Sequence, residues 1–195
     1  MEKLIRRVVT GHDGNGKAII VSDAYAPAVT TVPLWPGLVS TDIWKTNASP
    51  VVIGKDEPDP TLGPRALQPA PQGTVIRISM VPPETEEILK LDANKAKELF
   101  KEAGNADAST LGRGARHPLM HRTETLDYAL VLDGEITLLL DDSEVQLKTG
   151  DVVIQRGTNH AWSNRSGKPV RMLYILIDGR FDPELARVLK VPAAK

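Results

Sequence analysis

The side chains best suited to chemistry in this sequence gather between His117 and Asn164, a stretch reading HPLMHRTETLDYALVLDGEITLLLDDSEVQLKTGDVVIQRGTNHAWSN. Three of the four histidines lie in it, His117, His121 and His160, together with the carboxylates Glu124 and Asp127. Two imidazoles and a carboxylate on one concave surface can hold a divalent ion such as Zn, Mn, Fe or Ni. Without an ion they can move protons, with His160 or Asp127 as base. Residues two apart on a strand point to the same face, so His121 and Thr123 face inward together if either does. Asp127 is too far from His121 for one site along a straight strand rising ~3.3 Å per residue. A turn over residues 122–125 would return Asp127 on a neighbouring strand, with His160 arriving from a third strand across the barrel. His117 and His121 have the spacing of helical zinc pairs, but Pro118 and the strand context oppose a helix. On a strand the two would stand about 13 Å apart, so His117 is expected at the rim of a site rather than in it.

The elements that must position these groups read as short strands. Apolar residues alternate at Ile136, Leu138 and Leu140 and again at Val145 and Leu147, with Gly134, Gly150 and Gly157 where strands should end. This pattern predicts a small antiparallel barrel. Upstream, runs over residues 6–10 and 17–22 flank GHDGNG and predict a hairpin with His12 as an exposed turn residue. Residues 38–46 and 74–81 predict two more strands. The Pro-rich segment 54–73 between them reads as a surface loop. Trp35 and Trp44 are expected to pack on a sheet or an interface. Asp92 as cap, apolar positions from Ala93 to Ala103 and then Gly104 predict one helix, and Asp182-Pro183 predicts a second over residues 184–189. Residues 105–116 read as loop that could cover the barrel mouth. A last apolar strand is expected over residues 170–177.

Composition narrows the function classes. A formal net charge of −1 over 195 residues gives no electrostatic case for nucleic acid or an anionic membrane. With no cysteine, disulfides, thiolate ligands and a cysteine nucleophile are excluded. The first residues carry charge but no apolar run of signal-peptide length, and no stretch reaches the ~18 apolar residues of a membrane span. The expectation is a cytoplasmic protein of one domain over residues 1–195, with a core barrel at 74–178, added strands at 1–73 and a helical insertion at 92–104.

The segment 117–164 resembles the cupin superfamily, whose motifs run in outline G-x5-H-x-H-x3–4-E-x6-G and G-x5-P-x-G-x2-H-x3-N. Gly157, His160 and Asn164 reproduce G-x2-H-x3-N without a gap, and Gly150 fits as the leading glycine if one residue is missing. Gln155 then stands where proline is usual. Asp127 and Gly134 match E-x6-G with a shortened carboxylate. His121 fills the place of the first motif histidine and Thr123 that of the second. The resemblance implies an all-β fold with minor α: an antiparallel jelly-roll barrel with added N-terminal strands and two short helices. It implies a divalent metal (Fe, Mn, Zn or Ni) on His121, Asp127 and His160, and a homodimer joined through the added strands. A small organic molecule would bind within the barrel, with His160 and Asp127 catalytic and Thr123, Arg156 and Arg171 contacting it. Arg165 is a further candidate for a substrate carboxylate, and Glu124 a reserve carboxylate. Tyr128 and Trp162 are expected to pack. Oxygenation, decarboxylation, dehydration and isomerisation are all open, as is a metal-free binding or sensor protein in which the same residues orient a ligand.

Overall fold

Strict alternation of buried and half-buried residues marks β5 (Thr74–Val81), whose odd-numbered positions Val75, Arg77, Ser79 and Val81 all point inward. The computed structural model describes residues 4–190 and places β5 within a six-stranded antiparallel sheet. Before it come β1 (Arg6–His12), β2 (Ala18–Tyr25), β3 (Ala28–Thr31) and β4 (Val39–Thr46). After it come β6 (Thr125–Asp133), β7 (Glu135–Leu139), β8 (Glu144–Lys148), β9 (Val152–Arg156), β10 (Ala161–Ser163) and β11 (Val170–Asp178). The large sheet runs β3-β4-β5-β11-β6-β9 and a three-stranded sheet runs β10-β7-β8. Their inner faces meet in one apolar cluster containing Val131, Ile136, Leu138, Trp162, Val170 and Met172. Two antiparallel sheets closed over a shared core make the expected jelly roll.

The added strands divide into two groups. β3 and β4 join the large sheet, whereas β1 and β2 form a separate hairpin. His12 is exposed at the end of that hairpin, as its turn composition predicts.

Among the described residues three α-helices form rather than two, with one 3₁₀ turn at Ala106–Ala108 besides. α2 (Ala93–Glu102) starts where Asp92 accepts a hydrogen bond from the Lys95 amide at 2.9 Å. It ends at Ala103, and Gly104 follows at φ +104°, a conformation in which a Cβ would meet Leu67 backbone nitrogen at 2.7 Å. Its buried face is Ala96, Leu99 and Phe100, of which Leu99 and Phe100 close a second apolar cluster with Leu119 and Met120. α3 (Pro183–Leu189) is capped by Asp182 as expected. The unexpected helix is α1 (Glu86–Leu89), a single turn capped by Thr85, too short to leave a periodic signal. Among the described residues no helix is long and apolar enough to cross a membrane.

Candidate functional site

Between the sheets lies a cavity of about 120 Å³. Period-2 geometry selects which side chains reach it: Arg77 and Ser79 from β5, Asp127 from β6, and Tyr174 and Leu176 from β11. His121, Thr123 and His160 also line it, as do Trp162 from β10 and Leu99 and Phe100 from α2. Apolar and aromatic side chains make up the rest of the wall, against which the charged and polar groups stand.

His121 and His160 are direct neighbours, not partners across the barrel. They form an antiparallel bridge, each backbone amide donating to the other's carbonyl at 2.8 and 2.9 Å. The ring centroids stand 4.2 Å apart. Nδ1 of His121 donates to the Leu119 carbonyl at 3.0 Å, because a carbonyl can only accept. Nδ1 of His160 is enclosed by the Thr158 carbonyl at 2.9 Å and the Gln155 amide at 2.7 Å. Nε2 is therefore the nitrogen that each ring keeps for the cavity. Burial lowers the pKa of His121, and burial followed by the neighbouring His121 ring lowers that of His160 far more. Both imidazoles are neutral near pH 7.

Asp127 is the complementary group. Burial pushes its carboxyl up to about 6, against the opposing pull of Thr125 and Arg77. Its Oδ1 is buried and has no hydrogen-bond partner among the described residues.

The metal implied by the motifs does not fit this donor set. Among the described residues, no three His, Asp or Glu side chains come together in a way that could hold an ion. Thr123 stands in the second histidine's place, and its hydroxyl pairs with that of Thr125 at 2.8 Å. His121, Asp127 and His160 line one cavity without forming a three-ligand centre.

Several other expectations are corrected. Arg156 is exposed on β9, where Gln155 is the inward residue; a shift of one position along a strand reverses the face. Arg171 lies between the fully buried Val170 and Met172 and so points to the other face of β11. Neither lines the cavity. Arg165 pairs with Glu144 at 2.9 Å, and Glu124 accepts from the Phe181 amide at 2.6 Å. His117 is not at a rim: it is buried, with Nε2 2.9 Å from Oε1 of Glu84. Tyr128 faces outward, whereas Trp162 lines the cavity edge-on to Tyr174, centroids 5.6 Å apart.

The cavity's cations come from elsewhere. Arg77 is held by Asp42 at 2.6 Å and by the carbonyls of Ala66 and Leu67 at 2.8 and 3.2 Å. Arg65 reaches in from the Pro-rich segment expected to lie on the surface. Its Nε donates to the Ala103 carbonyl and one Nη to Ser40, both at 3.1 Å. Burial, then repulsion from Arg77, brings its guanidinium down to about 10, so it remains charged near pH 7. Arg77 had a signal in the sequence, a charge at an inward position of an alternating strand. Arg65 had none.

Comparison with known proteins now adds the family. Residues 109–176 match the model described as a cupin domain. A Phomopsin biosynthesis cluster protein C' of Diaporthe leptostromiformis is 55% identical over 64 residues, which is 32% of this chain and 34% of that protein. A cupin-domain-containing oxidoreductase of Neurospora crassa (srdD) is 35% identical over 45% of this chain and 49% of its own length. Another from Aspergillus ruber (fogC) is 27% identical over 88% of this chain and 71% of its own. The chain thus spans about a third of the first curated relatives it matches. Among solved structures, the Cnp3 cupin domain of Schizosaccharomyces pombe covers 96% of this chain and 95% of its own, with 10% identity and a TM-score of 0.40.

Proposed function

We propose, from the premise that residues 109–176 of this chain are a cupin domain, that its cavity is a catalytic site moving protons on a small, largely apolar organic molecule. The observation carrying this proposal is the facing pair of neutral imidazoles, His121 and His160, with Nδ1 tied to protein groups and Nε2 left to the cavity. A free Nε2 can take an acidic C–H proton from a bound carbonyl compound, and the proton can return at another atom of the same molecule. Such an isomerisation balances without an oxidant. Asp127 would be the acid, protonating the carbonyl oxygen as the α-proton leaves or, in a dehydration, the departing hydroxyl, since a carboxyl held at about 6 is partly protonated near neutral pH. Thr123 would lie against the same molecule as a hydrogen-bonding wall.

The names of the relatives support a catalytic cupin. They also favour a second reading, oxidation of the same class of molecule, which would need an electron acceptor. The exposed apolar residues of the hairpin, Ile20, Val21 and Tyr25, support the expected homodimer, which sedimentation velocity would reveal.

The test is deuterium incorporation from D2O into a panel of small aryl and alkyl ketones, followed by mass spectrometry. Incorporation is expected with the parent and should fall about 10²–10⁴-fold in His160→Ala, with a comparable loss in Asp127→Asn. Ketones that bind without exchange would move the protein to the metal-free binding class. Oxygen uptake on adding Fe, Mn, Zn or Ni, in place of exchange, would favour the oxidative reading.

A further inference from the structure

The cavity holds more than the proton-moving groups require. The Nη1 of Arg65 and the indole Nε1 of Trp35 are both buried, belong to residues that line the cavity, and have no hydrogen-bond partner among the described residues. Both are donors only, and neither can be satisfied by the cavity's apolar walls.

The charge around them is also unbalanced. Asp42 is the carboxylate that Arg65 approaches, and three cations share it: Arg77 at 2.6 Å, Lys45 at 3.0 Å and Arg65 at 3.7 Å. Arg77 takes the close contact, and its remaining donors go to backbone carbonyls. Arg65 is left with the longest approach, made by the same Nη1 that lacks a hydrogen bond. A buried guanidinium without a full counter-charge is costly unless something else supplies the negative charge.

We infer that the cavity's ligand is a small carboxylate, its negative group taken by Arg65 Nη1 and the Trp35 indole and its apolar body by the aromatic wall. The inference rests on the proposal that the cavity binds a small organic molecule, and it names that molecule's chemical class. At about 120 Å³ the cavity is somewhat smaller than the roughly 150 Å³ that takes up benzene, so the wall side chains must shift to admit a ring bearing a carboxylate. A guanidinium is suited to a carboxylate's two oxygens, whereas a neutral amide offers it one acceptor and no charge. Arg65 is thus a specificity residue brought in by the segment 54–73, outside the residues matching the cupin model.

Matched pairs test this directly: benzoate against benzamide, and cyclohexanecarboxylate against its amide, with binding read by ligand-observed NMR and calorimetry. The parent should bind each acid at least tenfold more tightly than its amide. Arg65→Gln should remove most of that preference, and Arg65→Lys should keep part of it, retaining charge without the planar fork. Equal affinity for acid and amide in the parent, or no binding of either at millimolar concentration, would overturn the inference, as would Arg65→Gln with its preference intact. The acid–amide preference of the parent decides the matter if Arg65→Gln fails to fold. Asp127→Asn separates this inference from the catalytic one: it should lower deuterium exchange about 10²–10⁴-fold, whereas benzoate, no longer facing a second carboxylate in the cavity, should bind at least as tightly as to the parent. A parent that prefers acids yet exchanges no ketone would sink the catalysis alone.

Discussion

Asp42 and Asp127 are two buried carboxylates facing the same interior, and their surroundings are opposites. Burial alone would raise the pKa of Asp42, but Arg77, Lys45 and Arg65 outweigh it and hold the group below the ordinary carboxylate range. Asp127 has no salt-bridge partner among the described residues, and burial outweighs the pull of Thr125 and Arg77 and raises it to about 6. In one region the carboxylate is enclosed by cations and locks β4 to β5 and to the segment 54–73. The other is a carboxyl kept short of partners. Burial is common to both, so it is the missing partner, not the burial, that marks a group available for a ligand or a proton.

Removing the two charges should therefore have opposite effects. Asp42→Asn leaves three cations without their counter-charge and is expected to cost about 3–5 kcal/mol, measured by urea unfolding at pH 7. A cost under about 1 kcal/mol would show that the cluster is not the lock described here. Asp127→Asn should stabilise. With the folded-state pKa above that of the unfolded chain, the folded protein binds more protons between about 4 and 6, so the ionised carboxylate destabilises it above that range. The variant should gain up to about 3 kcal/mol at pH 8, and the gain should fade as pH drops from 6 to 4. A variant less stable than the parent at pH 8 would mean that Asp127 has a partner in solution.

How much of this was legible in sequence follows from the range over which each signal acts. Alternation and glycine punctuation are local, and β4, β5, β11 and both capped helices lie within a residue or two of their expected bounds. Gly157 shows why the second motif keeps its glycine: it stands at φ +61°, and a Cβ there would meet the Phe181 ring at 2.6 Å. His121, Thr123, Asp127 and His160 do share one cavity, because strand parity sends them inward. Parity also explains why Arg156 and Arg171 stand outside the cavity: residue type marks them as ligand-binding groups, but type does not fix the face of a strand. The pairing of His121 with His160 depends on a bridge between segments 39 residues apart, and the entry of Arg65 on a loop without periodicity. No local pattern encodes either contact.

The smallest effect comes from a third carboxylate, between the other two in character. Asp59 pairs with Arg7 of β1 through both of its oxygens and accepts from the Thr61 amide and hydroxyl at 2.9 and 2.6 Å. Arg7 in turn lies over the Trp44 ring at 5.6 Å and donates to the Ile43 carbonyl. The pair thus ties the hairpin and β4 to the segment that carries Arg65. The Arg7 hydrogen bonds, with help from Thr61, lower the Asp59 carboxyl to about 2. A depressed carboxylate contributes its stability above the unfolded-state value near 4 and loses it as pH falls toward 2. Partial solvent screening keeps that contribution to about 1 kcal/mol. Asp59→Asn should therefore be about 1 kcal/mol less stable than the parent at pH 7 and indistinguishable from it near pH 2 in parallel unfolding curves. Benzoate affinity should change less than threefold, because Ala103 and Ser40 still hold the Arg65 guanidinium. A tenfold loss of benzoate binding with stability unchanged would instead make Asp59, and not the Asp42 cluster, the group that aims Arg65.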